Sequence, residues 1–146
     1  MVKKCVLQWK KLHPKAVAPK KGSTEAAGFD LSSVKNYTIF PFSHKIVDTG
    51  IQINLPPSTY GRIASRSSWS ISGVHIGGGC IDRDYTGEVK VIMYNITQYP
   101  VKIRKGDRVA QLICEKIEYP ELEEVDEIHR VTERGSGCFG STNFDP

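Results

Sequence analysis

The sequence has no apolar run longer than the four residues Val91-Ile92-Met93-Tyr94. A membrane-crossing helix needs about 18 such residues in succession, so no segment reads as one. Lysines stand near the first residue, but no apolar stretch or small-residue cleavage site follows, which argues against a secretory leader. There is no Cys-x-x-Cys pair and no cysteine–histidine cluster: Cys5, Cys80, Cys114 and Cys138 are far apart, and His13, His44, His75 and His129 are scattered. That spacing offers neither a zinc site nor a disulfide framework and predicts free thiols in a reducing compartment. No window makes a convincing amphipathic helix; at most Ser67 to Ile71 forms a short one capped by a serine. Acidic residues are missing from the first 24 positions, which hold seven lysines, while the rest of the chain holds 16 acids. Because those lysines are spread out and lack interleaved aromatics, they predict a solvated terminus rather than a nucleic-acid-binding tail.

What is present fits one ordinary domain. The 146 residues are 39% hydrophobic and 25% charged, with a net charge of +4. A chain of this length can bury roughly 68–70% of its unfolded surface without disulfides or metal. Strand signals dominate: Cys5 to Trp9, Ile51 to Leu55, Val89 to Met93, Val101 to Ile103 and Val109 to Ile113 are β-rich or alternate at period two. Glycine and proline fall between them, including Pro56-Pro57 and Gly77-Gly78-Gly79, a spacing that predicts an all-β sandwich or barrel. No internal repeat or linker divides the chain. The stretch from Glu115 to Glu127 holds seven acids and reads as a solvated connection.

Four segments carry chemistry. Gly79-Cys80-Ile81-Asp82-Arg83-Asp84-Tyr85-Thr86-Gly87 places two carboxylates and an aromatic at the head of an expected hairpin, although Asp and Gly are also ordinary turn residues. Arg66-Ser67-Ser68 joins a phosphate-matching guanidinium to hydroxyls at a helix start, which serves equally as an anion site or a cap. Gly106-Asp107-Arg108-Val109-Ala110-Gln111 is a turn feeding a strand, where Gln111 by itself reads as a solvent-facing pleat residue. The last segment, Arg134-Gly135-Ser136-Gly137-Cys138-Phe139-Gly140-Ser141-Thr142, suits a mobile arm that orders around an anion, or a frayed terminus. Together they supply a carboxylate base, two arginines, many donors and an aromatic, the inventory of a nucleoside polyphosphate site.

In this order the segments resemble the trimeric deoxyuridine triphosphatase (dUTPase) family. The likeness runs from about Val6 to Thr142 and includes a further motif, Ala27-Gly28-Phe29-Asp30-Leu31. The second motif begins at Gly61-Arg62-Ile63-Ala64-Ser65, and Tyr119-Pro120-Glu121-Leu122-Glu123-Glu124-Val125 is similar to eukaryotic and large-DNA-virus members. The resemblance implies a jelly-roll-like β-barrel over residues 1–133, with residues 134–146 as a flexible arm swapped between subunits. It further implies a homotrimer with sites at subunit interfaces, and hydrolysis of dUTP to dUMP and pyrophosphate with Mg²⁺. Asp82 is then the water-activating carboxylate, Tyr85 lies under the deoxyribose and excludes a 2′-hydroxyl, and uracil is read by backbone near Gly79 and Lys90. Arg66, Ser67, Ser68 and Gln111 hold phosphates from a neighbouring subunit, and Asp30 supports Mg²⁺ through water. Phe139 stacks on uracil, Arg134 meets the γ-phosphate, and Gly140, Ser141 and Thr142 wrap the phosphate chain.

Several positions depart from the family pattern: Ser65 stands for proline, Ser68 for glycine, Trp69 for leucine, Phe29 for tyrosine, Cys138 for glycine and Asn143 for glycine. They raise the alternative of a weakened dUTPase-like protein serving as an interaction module, yet Asp30, Arg66, Asp82, Tyr85, Gln111, Arg134 and Phe139 are all retained. The related dCTP deaminases need a glutamate base after the hairpin, where this chain reads Val89-Lys90-Val91-Ile92-Met93-Tyr94-Asn95. The expected setting is intracellular, cytoplasmic or nuclear, with neither a membrane nor a specific nucleic acid as partner.

Overall fold

The computed structural model describes residues 4–138, which form eleven strands and one short helix. In order these are β1 (Gln8–Lys11), β2 (Phe29–Ser32), β3 (Tyr37–Ile39), β4 (Ser43–Asp48), β5 (Ile51–Asn54), β6 (Thr59–Ala64), α1 (Ser67–Ile71), β7 (Val74–Gly77), β8 (Cys80–Ile81), β9 (Lys90–Asn95), β10 (Val101–Ile103) and β11 (Arg108–Lys116). The strands pair antiparallel in two larger sheets, β2-β11-β6-β8 and β4-β9-β7, and two pairs, β1-β5 and β10-β3. Neighbours are seldom consecutive in sequence, so the chain crosses between sheets at most steps, as in a jelly roll. No described helix is long and apolar enough to cross a membrane.

Alternation drives this arrangement. On β9, Val91, Met93 and Asn95 are buried while Lys90 and Tyr94 face out; on β5, Ile51 and Ile53 turn inward. Leu31, Ile39, Val47, Ile63, Val74, Ile103 and Leu112 join them, so every sheet feeds a single core. Each fully buried side chain of this size stabilises the fold by roughly 1.5–3 kcal/mol relative to its exposed state.

The strands expected around Ile51, Val89, Val101 and Val109 are present, and the run from Cys5 to Trp9 becomes the start of β1, three residues later than its apolar signal. The helix of Ser67–Ile71 is present, but no serine caps it. Its N-cap is Arg66, whose side chain makes no capping bond because it reaches across to Asp30. β4 carries little periodic signal: His44, Lys45 and Ile46 are exposed in succession and only Val47 is buried.

Two irregularities position functional segments. Register along β11–β2 shifts between Arg108 and Ala110, a β-bulge that lets consecutive Val109 and Ala110 both enter the core. Past the bulge, Gln111 stands opposite both Asp30 on β2 and Ala64 on β6. The second is the expected hairpin, formed by β7 and β9, whose pairing ends at Gly77↔Ile92. Its head, residues 78–89, is drawn open because β8 pairs with β6 through Gly61↔Ile81 and Arg62↔Cys80.

Candidate active site

The opened hairpin head leaves a cleft of about 400 Å³ between the Gly77–Gly79 backbone and the start of β9. Ile46, Ile63, Ile81, Val89 and Ile92 provide apolar surface, and Asp82, Tyr85, Glu88 and Lys90 provide polar groups. Such a lining accepts a flat, partly apolar ring whose edge meets main-chain groups. Gly79 lies at φ +95°, and a Cβ there would sit 2.7 Å from the Ile63 carbonyl oxygen. The close approach is fixed by Ile63 N–H donating to the Gly79 carbonyl at 2.7 Å. Gly79→Ala should therefore lower unfolding stability by about 2 kcal/mol, combining a left-handed backbone with a backbone clash. Urea denaturation reads this directly; an unchanged midpoint would show that the turn relaxes freely.

The opposite wall is tied to the β4–β5 turn. Val89 N–H donates to the Ile51 carbonyl at 2.8 Å, Thr49 Oγ1 donates to the Val89 carbonyl, and Gln52 Nε2 donates to the Thr86 carbonyl. Gly50 N–H donates to Glu88 Oε1 at 2.8 Å. Lys90 Nζ bridges Asp48 Oδ1 at 2.8 Å and Glu88 Oε2 at 3.3 Å, while Asp48 Oδ2 takes Lys35 Nζ at 2.6 Å. Hydrogen bonds from Lys35 and then Lys90 hold the Asp48 carboxyl down at about 2. The Tyr85 hydroxyl donates to the Glu88 carbonyl at 2.8 Å, and Tyr85 N–H donates to the Asp82 carbonyl at 3.1 Å. The Asp82 carboxylate is exposed and has no hydrogen-bond or ion-pair partner among the described residues.

A second cluster forms where β2, β11 and β6 end side by side. Asp30 receives Arg66 Nε at 3.1 Å and Arg108 Nη1 at 3.3 Å, so one carboxylate orients two guanidiniums and leaves net positive charge. Arg66, Ser68, Trp69, Asp107 and Arg108 line a cleft of about 310 Å³. The first helical N–H groups to reach back to the Arg66 carbonyl are those of Trp69 and Ser70, at 3.1 Å each. Ser67 and Ser68 begin the helix, where amides have no helical acceptor and can meet an anion. Gln111 Nε2 donates to the Ser65 carbonyl at 3.0 Å, which corrects its reading as a free solvent-facing residue. Gly28 gives it room, since a Cβ there would lie 3.0 Å from Gln111 Oε1.

The structure thus sorts the sequence-derived residues into two groups. Asp82, Tyr85, Gly79 and Lys90 share the hairpin cleft; Asp30, Arg66, Ser67, Ser68 and Gln111 gather at the β2–β11–β6 end. The residues lining the two clefts have none in common. Arg134 is exposed and its Nε donates to the Gly137 carbonyl at 3.1 Å within its own turn. Phe139, Gly140, Ser141 and Thr142 lie outside the described residues.

Two departures from the family pattern have visible work. The Ser65 hydroxyl accepts the Ile76 N–H at 3.1 Å, tying the second motif to β7, and Trp69 Nε1 donates to the Arg108 carbonyl at 2.8 Å. Arg108 was legible only as part of its motif. Asp48 carried no local signal, because it meets Lys90 only through the β4–β9 pairing, whereas Glu88 reaches Lys90 from two residues before it.

Comparison with known proteins places these features in context. The dUTPase family model matches residues 14–143. The chain is 49% identical over 137 residues to deoxyuridine 5′-triphosphate nucleotidohydrolase of Mus musculus, covering 93% of this chain and 84% of the relative. It is also 49% identical over 137 residues to the mitochondrial form of Homo sapiens, 93% of this chain but 54% of that protein, so it spans about half of that relative's length. Identity to the variola virus nucleotidohydrolase is 46% over 130 residues, 89% of this chain and 88% of the relative. Among solved structures, the Staphylococcus bacteriophage 80alpha dUTPase with dUPNHPP superposes with a TM-score of 0.89 at 28% identity, covering 94% of this chain and 98% of that one.

Proposed function

This chain belongs to the dUTPase family, and from that premise we propose that it hydrolyses dUTP to dUMP and pyrophosphate by attack of water at the α-phosphorus. The observation that carries this reading is the hairpin cleft: an apolar slot edged by the backbone at Gly79 and Lys90, with Asp82 and Tyr85 on its rim. Uracil enters the slot and is read by main-chain groups, which leaves no place for thymine's methyl or cytosine's amino pattern. Tyr85 lies under the deoxyribose, where a 2′-hydroxyl would collide with its ring. Asp82 orients the attacking water and takes its proton; its carboxylate is open for that role.

The phosphates need the second cluster, which this chain holds away from its own hairpin cleft. A neighbouring subunit of a homotrimer brings Arg66, Ser67, Ser68 and Gln111 to the phosphate chain, and Asp30 keeps Arg66 and Arg108 aimed. Magnesium suits this donor set. Among the described residues no group of three or more His, Cys, Asp or Glu forms a closed cage. Mg²⁺, a cation that keeps several of its waters, would be held mainly by the substrate phosphates, with Asp30 supporting it through water. When bound, it neutralises charge on the phosphate oxygens.

The arm completes the site. Phe139 stacks on the base, Arg134 pairs with the γ-phosphate, and Gly140, Ser141 and Thr142 surround the phosphates while water is excluded. In a cell the reaction would keep uracil out of DNA and supply dUMP for thymidylate synthesis. Pyrophosphate release with Mg²⁺ tests the proposal, comparing dUTP with dCTP, dTTP and UTP. Fast release confined to dUTP is the expected result. No release from folded protein, checked by light scattering, would turn attention to the interaction-module reading.

A further inference from the structure

In the proposed reaction Lys90 acts only through its backbone, yet among the described residues its side chain is the one cation bridging the pocket wall to the sheet beside it. It stands opposite Asp48 in the β4–β9 pairing, and its ammonium joins Asp48 on β4 to Glu88 on the hairpin head. The two carboxylates are partly buried, with side chains 16% and 24% exposed, while the Lys90 side chain between them is 47% exposed. Lys35 compensates Asp48 from the other side, but no second cation reaches Glu88 among the described residues. The Glu88 carbonyl accepts the Tyr85 hydroxyl, and the Tyr85 ring packs on Gly87, where a Cβ would run into it. A path therefore runs from the Lys90 ammonium to the Glu88 carboxylate, and from the carbonyl of that same residue to the Tyr85 hydroxyl and ring.

We propose that Lys90 is a positioning residue for sugar selection, its ammonium holding Glu88 and thereby the Tyr85 ring at the distance that admits deoxyribose and refuses ribose. The proposal rests on the reading that Tyr85 faces the sugar. Without the ammonium, the Asp48 and Glu88 carboxylates repel, and among the described residues Glu88 keeps only the Gly50 N–H on its carboxylate. Thr86 and Val89 stay bonded to Gln52, Thr49 and Ile51, but the ring, held through the Glu88 carbonyl between them, loses its fixed height. Discrimination then falls more than catalysis: among the described residues Asp82 meets Tyr85 only through its main-chain carbonyl, and its carboxylate has no partner there.

The test uses the full chain with Lys90→Met, which keeps the stem and removes the charge, beside Lys90→Arg, which keeps both. Steady-state rates on dUTP and UTP with Mg²⁺ should show KM for dUTP rising ~5-fold in Lys90→Met, kcat changing less than ~2-fold, and the dUTP-to-UTP ratio of kcat/KM falling ~10-fold. Lys90→Arg should stay within ~3-fold of wild type on that ratio. A Lys90→Met protein that melts earlier but keeps the wild-type ratio and KM would overturn the proposal, since a merely structural ion pair predicts that pattern. Should Lys90→Met fail to fold, Glu88→Gln removes one partner of the bridge, and an unchanged ratio there would overturn it equally. A wild-type enzyme with no preference for dUTP would remove the underlying reading first, before any substitution is compared.

Discussion

Asp82→Asn should reduce turnover of dUTP by roughly 10²–10⁴-fold while the nucleotide still binds, the range expected when a positioned general base is lost. The substitution preserves shape, and the local frame does not depend on the carboxylate: Tyr85 N–H is held by the Asp82 main-chain carbonyl, and the side chain has no partner to lose among the described residues. What disappears is an oxygen able to accept the proton of the attacking water, which an amide cannot replace. Binding of a non-hydrolysable dUTP analogue should remain within a few-fold of wild type in a calorimetric titration. The loss should therefore sit in kcat, as for an interaction made only in the transition state. Retention of the wild-type rate would remove Asp82 from its assigned role and direct attention to Asp84, which lies two residues on at the same hairpin head.

The second large effect is expected from ending the chain after Glu133. The described part of the arm makes hydrogen bonds only to itself and to its approach, with Gly135 N–H meeting the Thr132 carbonyl and Arg134 meeting Gly137. The residues from Glu118 to Gly135 are exposed, and among the described residues none beyond Leu112 is buried in the core, with only Cys114 packing against it. Truncation should thus leave the thermal midpoint and the particle size unchanged. Catalysis should fall steeply. Base–aromatic stacking of the kind assigned to Phe139 is worth about 1–3 kcal/mol, and each 1.4 kcal/mol is a factor of ten. Adding the loss of Arg134 at the γ-phosphate gives an expected fall in kcat/KM of about 10²–10⁴-fold. Unlike Asp82→Asn, this change should weaken analogue binding as well, so the pair of variants separates chemistry from closure. An unaffected rate would deny the arm any part in catalysis.

Much of the fold was legible because its signals are local. Period-two alternation around Val91 and Ile51 reports which face is buried wherever a strand has one wet side. It failed on β4, whose outward face carries Ile46 and whose exposed residues run in succession. Ser67 to Ile71 was readable as a helix, but its cap was not, because Arg66 has a stronger partner in Asp30 than in the helix it precedes. Gln111 looked like a solvent-facing pleat residue since nothing nearby in sequence shows that a bulge at Val109 will align it with Asp30 and Ala64.

The residue types and their spacing already carry the chemistry of this protein: a carboxylate and an aromatic between glycines, arginine before hydroxyls, and a glycine-rich arm. These are short-range patterns, in which side chains act together because they are neighbours along the chain, so they can be read without coordinates. Which groups meet across the fold was decided only by strand pairing. That pairing brought Asp30 to Arg66 and Arg108 and set Lys90 opposite Asp48. It also held the two clusters in separate clefts. Contacts of that kind join residues tens of positions apart, and their partners are chosen by sheet order and register, which no local pattern encodes.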